Sequence, residues 1–454
     1  MKLLVGVAIT GAILAGVAHA QQLQAGVSRV DITPPAGFEM WGAAGRKGFA
    51  GPALDPLFAR TLVLKADGIA VALVTLDLGR TFSQEQMDRV RRKVEQSAKI
   101  RHVIFAASHT HTGPNILDDA YIAGAGDRWE PEALERITSG IETAARKLVP
   151  ARIGVGLGAS YIGHNRQDGP VRSLGKNLTS VRTSPQDPIV TVIRIDALSG
   201  EPLAILAHHA AHPVVLNHVT RYSADFPGAM SAYVEKSWNK GTICFYLQGA
   251  CGDINTHNVA VGPLVNEATR TGYALGRVVE RVSREIRIQQ ADPASVQIAD
   301  DEMTFPARWD IDKLKRLGAP PTYHQWLTTG RPIGYPPEVV RAPVTTLLVN
   351  RKLAFVTMPG EPYVDLQIDL RERLPEVHTV LLGYANGYVG YLPTIRAATR
   401  DGLYYGANAW PTIVAAGAAE RMLDRGIIRV LEFLGKLKPR EEESPESAGH
   451  KGVK

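Results

Sequence analysis

The stretch FAASHTHTGPN at residues 105–115 sends two histidines, His109 and His111, out of the end of an apolar run. Three other apolar runs end in the same way. LAILAHHAAHP (203–213) delivers His208, His209 and His212, ICFYLQ (243–248) leads into GACGDINTHN with Asp253 and His257, and AFVTMPGEP (354–362) delivers Glu361. Neutral imidazole and carboxylate are the usual ligands of catalytic zinc, which takes about three protein groups and leaves one position for water. In extended chain, residues two apart point the same way, so His109 and His111 can face one cavity, one as ligand and one as its hydrogen-bonding partner. His208 and His209 are adjacent, so only one of them can share a face with His212. Taken singly, each feature also has an ordinary reading: a hydrogen-bonded His pair at a strand end, a carboxylate at a helix start, a packed core histidine. Their joint occurrence points to one metal site built from distant segments. The G-x-S-x-G elbow of serine hydrolases and the phosphate-binding Gly-rich loop are both absent from the sequence.

The elements that must carry these residues alternate between strand-like and helix-like. IAVALVTLDL (69–78) and HVIFAAS (102–108) are continuous apolar runs of the kind buried on both faces of a sheet. Between them Ser83 opens a helix with Met87, Val90 and Val94 on one stripe; a second amphipathic helix carries Leu134, Ile137, Ile141 and Leu148. Residues 189–195 and 203–209, around the Ser199-Gly200 turn, form a hairpin, and so do 344–350 and 353–359. Strands at 242–248 and 380–386 and helices at 264–286 and 409–435 complete the pattern. The prediction is an α/β fold whose core is a mixed parallel and antiparallel sheet with flanking helices, its active site at the carboxyl ends of the strands.

Composition sets the class. With 454 residues, 45% apolar and 21% charged, the chain is ordinary globular material rather than a disordered protein. Residues 1–20, with an early Lys2, an apolar stretch and Ala18-His19-Ala20, have the layout of a cleavable signal peptide, the alternative being an uncleaved anchor. The expectation is a periplasmic or secreted protein with one domain over 21–435 and a disordered tail over 436–454. Two cysteines, Cys244 and Cys251, are too few to hold such a chain together; they either pair or are small buried residues. The net charge of +6 is scattered, with no basic stripe interleaved with aromatics, so nucleic acid is not an expected partner and peripheral contact with an anionic membrane surface is.

Several ordered motifs carry a family resemblance. AGVSRVDITPP (25–35), LFARTLVLK (57–65), SHTHTGP (108–114), HNR (164–166), HP (212–213), SADFPG (223–228), GDI (252–254), MPGE (358–361) and NGYVGY (386–391) resemble, in order, the neutral non-lysosomal ceramidases, zinc amidases that cleave the N-acyl bond of ceramide. The resemblance implies a single Zn2+ ligated by His109, His212, Glu361 and Tyr391. It puts His111 beside the metal-bound water or substrate carbonyl, Arg166 at the oxyanion, and Tyr404 facing the carbonyl, with Tyr405 as competitor. Asp253 matches the family's Gly-Asp, in the role of orienting a histidine or a loop.

The chain departs from the family in three places. The family's serine position holds Asn255, which can neither be acylated nor relay a proton. The interval from Asn255 to Glu361 is short, and little chain follows 435 to make a C-terminal immunoglobulin-like domain. The turn after His111 reads Thr112-Gly113-Pro114-Asn115. The expected activity is therefore metal-activated hydrolysis of an N-acyl amide or lipid amide, ceramide itself being a doubtful substrate. The competing readings are a metal-dependent esterase or phosphoesterase, with His208, His209 and Asp253 helping to hold a second ion, and a non-catalytic exported binding protein.

Overall fold

The computed structural model describes residues 22–438 except 44–45, 47, 118–126, 167–183, 239–240, 257–263, 289–292, 309, 311, 313–315, 317–338 and 399–411. In chain order its first half comprises β1 (Gln24–Asp31), β2 (Phe58–Ala66), β3 (Ile69–Leu76), α1 (Gln84–Ala98), β4 (His102–Ala107), α2 (Glu130–Arg146), β5 (Val149–Ala159), β6 (Gly163–Asn165), β7 (Ile189–Ala197), β8 (Pro202–His209), α3 (Asp225–Trp238), β9 (Ile243–Gln248) and β10 (Ile254–Thr256). The second half comprises α4 (Leu264–Glu285), β11 (Val296–Pro306), β12 (Val339–Val349), β13 (Leu353–Thr357), β14 (Glu361–Pro362), α5 (Val364–Arg373), β15 (His378–Leu382), β16 (Tyr391–Leu392), α6 (Ile395–Ala398) and α7 (Ala418–Phe433).

Two sheets form the frame, one ordered β4-β3-β2-β1-β5-β7-β8-β9 and the other β11-β12-β13-β15. Strands β3/β4, β8/β9 and β13/β15 pair parallel; hairpin neighbours such as β7/β8 and β12/β13 pair antiparallel. The sheets pack face to face: Leu73, Ile104, Leu206 and Phe245 of the larger share one core with Leu347, Phe355 and Val380 of the smaller. Helices α1 and α2 cover one half of the larger sheet's outer face, α3 and α4 the other half, and α5 and α7 cover the smaller sheet. The mixed α/β architecture expected from the sequence is thus a helix/sheet/sheet/helix sandwich. Strands buried on both faces need apolar residues throughout, which is why β3 and β4 read as continuous runs.

Local signals explain individual elements. Ser83 caps α1 in a capping box with Gln86, and Met87, Val90 and Val94 are buried on its inner stripe. Helix α4 lies close over β5 because Gly154, Gly156 and Gly158 leave room; a Cβ on each would come within 2.5, 2.8 and 2.8 Å of Ile286 Cγ2, Ile286 Cγ1 and Val278 Cγ1. Several expected boundaries shift, among them the strand expected over 344–350, which runs Val339–Val349, and the helix expected to carry Leu148, which ends at Arg146. The strand expected over 69–78 stops at Leu76, and that expected over 380–386 stops at Leu382, beyond which Tyr384 and Asn386 adopt left-handed backbone (φ 55° and 56°). The last helix is Ala418–Phe433 within the described residues. Cys244 and Cys251 are both free and buried. No helix among the described residues is long and apolar enough to cross a membrane.

Asp187 ties the two halves together at the entry to β7. Its fully buried carboxylate accepts hydrogen bonds from Gln367 Nε2 (2.6 Å) and from Arg371 Nη1 (2.8 Å), both on α5. Burial alone would raise its pKa, but the bonds from Arg371 and Gln367 outweigh that and hold it below the usual range. A depressed pKa stabilises the fold above the unfolded-state value and loses that contribution as pH falls through the folded-state value. Asp187→Ala should therefore cost about 2–4 kcal/mol in urea unfolding at neutral pH, and the difference from the parent protein should shrink in acid.

Candidate metal centre and active site

The loops after β4, β8 and β13 bring His109, His212 and Glu361 together at the carboxyl ends of these strands. His109 Nε2 lies 3.0 Å from His212 Nε2, and Glu361 Oε2 lies 3.4 and 3.3 Å from the two nitrogens. The opposite side of each ring determines what those nitrogens carry. His109 Nδ1 faces the carbonyl of Gly79 at 2.7 Å, and His212 Nδ1 faces the carbonyl of Cys251 at 2.5 Å. A carbonyl accepts only, so each Nδ1 carries the proton and each Nε2 presents a lone pair. Glu361 Oε2 is buried and has no hydrogen-bond partner. Three acceptors thus face one another with no proton between them.

A cation resolves that conflict. Ligands about 2.0–2.1 Å from a tetrahedral zinc are about 3.3 Å apart, which matches the separations here. The electrostatics suit ligation. Burial pushes the His212 pKa down to about 4, which keeps the ring neutral. The described residues therefore fit a divalent metal ion.

His111 joins the same cluster, its Nε2 3.3 Å from His109 Nε2, and His109, His111 and His212 together make a group able to hold an ion. It differs in one respect: its Nδ1 is buried and unpartnered, so no carbonyl fixes its tautomer. Burial and the adjacent His109 push its pKa well down. Gly42 makes room for its ring, since a Cβ there would lie 2.8 Å from His111 Cγ, and the φ of +99° at Gly42 also favours glycine. Trp41 stands edge-on to both rings, at 5.0 Å from His109 and 5.1 Å from His111. Tyr384 stacks on His109 at 3.9 Å, and its hydroxyl contacts Cys251 Sγ at 3.0 Å.

The remaining expected residues surround this group. Tyr391 lies beside Glu361 in the parallel β14/β16 ladder, and its hydroxyl accepts a bond from Arg166 Nη2 at 3.0 Å. Arg166 also donates to the carbonyl of Gly252; burial would lower its pKa, but Tyr391 and Glu361 raise it. Asp253 does not reach the histidines. Its carboxylate accepts from Val364 N (2.9 Å), capping α5, and from Asn165 Nδ2 (2.8 Å), while its carbonyl accepts from Arg166 N (2.8 Å). Burial lifts its pKa to about 6. Asn255 bridges His212 through the backbone. His208 and His209 turn away, to the carbonyls of Leu381 (2.9 Å) and Ile189 (3.1 Å). Of the six residues considered for a second ion, His109, His111 and His212 stand in the one cluster, while Asp253, His208 and His209 hydrogen-bond away from it. Tyr404, Tyr405 and His257 lie outside the described residues.

Sequence reasoning missed several participants. Tyr388 donates a short hydrogen bond to Glu361 Oε1, which turns Oε2 toward the histidines. It sits inside NGYVGY, but nothing in its spacing distinguishes it from Tyr391. Asn386 fixes the turn that carries both tyrosines: its Oδ1 accepts from Phe105 N and Arg91 Nη2, each at 2.9 Å, and its Nδ2 donates to Thr345 Oγ1 at 3.0 Å. The carbonyls of Gly79 and Cys251 leave no side-chain signal at all.

No protein-family model matches the chain. Its fold is similar to that of a ceramidase complexed with C2, at TM-score 0.73 and 18% identity, covering 93% of this chain and 77% of that one. It is also similar to neutral ceramidase from Pseudomonas aeruginosa, at TM-score 0.69 and 18% identity, covering 92% of this chain and 75% of that one. The neutral-ceramidase fold thus extends over nearly the whole chain.

The site geometry predicts that calorimetric titration of metal-free protein with zinc will give one tight site per chain. At a hundredfold excess over Kd the ion should stabilise the fold by about 2.7 kcal/mol in thermal melts. His109→Ala should lose this response, and Tyr388→Phe should weaken zinc binding about 10- to 100-fold.

Proposed function

We propose that the protein is a zinc-dependent hydrolase of N-acyl amide bonds, acting on small lipid-like amides, with His109, His212, Glu361 and Tyr391 holding the ion. The observation that supports it best is the convergence of two imidazole lone pairs and a buried carboxylate oxygen, in a fold shared with ceramidases. When bound, such an ion polarises a carbonyl oxygen and acidifies water, so no protein nucleophile is needed.

The chain's own residues divide the remaining work. His111, kept neutral by burial and free of a fixed tautomer, is the group suited to take a proton from water and hand it to the leaving nitrogen. General acid-base transfer of this kind contributes about a hundred- to ten-thousand-fold. Arg166 supplies positive charge for the developing oxyanion, and its bond to Tyr391 ties that charge to the ligand set. Asp253 acts as a positioning residue through the Asn165-Arg166 segment and the start of α5. The backbone of Asn255 bridges that of His212, and its side chain has no acyl-transfer chemistry, which fits direct attack by water.

Removing metal from the purified protein should abolish cleavage of an N-acyl amide panel, and zinc should restore it; full activity in metal-free protein would rule the reading out. Arg166→Ala should lower kcat by about 100- to 1,000-fold. Asn255→Ala should cost less activity than His109→Ala, and the opposite order would give the amide side chain a role in the chemistry.

A further inference from the structure

The chain that follows β15, residues 383–386, lies across the ends of three strands. Gly383 N donates to the carbonyl of Gln248, the last residue of β9, at 3.1 Å. Tyr384 N donates to the carbonyl of Gly360, next to Glu361, at 2.8 Å, and the Tyr384 carbonyl accepts from Ala107 N, two residues before His109, at 3.1 Å. The side chain of Tyr384 extends the same pattern. Its ring stacks on His109, with centroids 3.9 Å apart and planes at 26°. Its hydroxyl shares a hydrogen bond with Cys251 Sγ at 3.0 Å, and the carbonyl of Cys251 is the acceptor that holds the Nδ1 proton of His212. Below the ligands the ring shares one buried cluster with Ala107, Ala210 and Cys251. Tyr384 is therefore in contact with the segments that deliver all three converging ligands.

Its backbone shows that the side chain matters. Tyr384 is fully buried at φ 55°. Left-handed backbone is uncommon at a bulky residue and persists where the surroundings over-determine it; glycine or asparagine adopts it more readily. The turn alone would be satisfied by glycine, and an apolar ring alone would fill the cluster. The specific feature is the hydroxyl, which meets a thiol. A thiol is a weak hydrogen-bonding group, so this contact adds little to stability and acts chiefly on where Cys251 sits. We propose that Tyr384 is a positioning residue of the metal centre: its ring fixes the plane of His109, and its bond to the Cys251 thiol fixes the carbonyl that sets the tautomer of His212. The orientations of the two imidazoles are thus coupled through one side chain. This rests on the metal-centre reading above.

The test measures zinc affinity by competition with a chromophoric chelator. Tyr384→Phe keeps the stacked ring and loses the hydroxyl, whereas Cys251→Ala removes the thiol and keeps the carbonyl. Each should weaken zinc binding about tenfold, and the double variant should bind no more weakly than either single one, because both cut the same link. Tyr384→Leu loses the stack as well and should bind about 100-fold more weakly than the parent. A role confined to packing would lower the stability of the metal-free fold and leave the affinity where it is. Parent-like affinity in either Tyr384 variant, or single losses that multiply in the double variant, would overturn the proposal. If the parent takes up no zinc, the metal-centre reading fails and the tautomer of His212 decides instead. Long-range nitrogen–proton spectra of the metal-free proteins at neutral pH should then show its proton on Nδ1 in the parent and shared between both nitrogens in Tyr384→Phe; an unchanged spectrum refutes the role of Tyr384.

Discussion

Two backbone carbonyls govern the chemistry of this centre. Gly79 and Cys251 each take the Nδ1 proton of a histidine, and by doing so leave Nε2 of His109 and His212 bare on the side where they meet. Were either carbonyl rotated away, the imidazole could place its proton on Nε2, and the mutual repulsion that calls for a cation would turn into a hydrogen bond. The arrangement has a cost: His109 sits at φ +68°, a left-handed conformation that side chains other than glycine adopt at the expense of about 1 kcal/mol or more. The surrounding aromatic rings of Trp41, Tyr384 and Tyr388 hold it there.

The sandwich makes that placement possible. His109 and His212 descend from strands of the larger sheet, Glu361 and Tyr391 follow strands of the smaller one, and the sheets share an apolar core directly beneath them. Polar contacts also cross that seam: Asn386 links the backbone at Phe105 to Thr345, His208 meets the Leu381 carbonyl, and His102 meets Asp300. The sheets are aligned by packing and their loops by hydrogen bonds. The two tyrosines and the carboxylate therefore arrive in register with the histidines, although no local sequence signal relates them.

What the sequence made legible follows from burial. Strands covered on both faces, such as β3, β4 and β9, stand out as unbroken apolar runs, and three residues of the centre were found because they follow such runs. Strand β5 did not stand out, because alternate positions are the glycines against which α4 packs. Nor did β11, where acidic and apolar residues mix on a half-exposed strand. The motif resemblance drew Tyr391 and Arg166 into the neighbourhood where the structure has them, whereas Tyr388, Trp41 and Gly42 act through contacts that spacing does not encode. Asp253, expected at the site from the Gly-Asp motif, hydrogen-bonds to the segment bearing Arg166 and to the first turn of α5.

The division of donors between the two sheets has a mechanical consequence. An ion gripped by His109, His212 and Glu361 would rivet one sheet to the other at the open end of their shared core. Sliding or splaying of the layers would then have to break coordinate bonds before any apolar surface became wet. In a metal-loaded protein, escape of the ion would be the gate through which denaturation passes, and lifetime under heat or protease would follow a dissociation rate at the centre as well as the strength of the core.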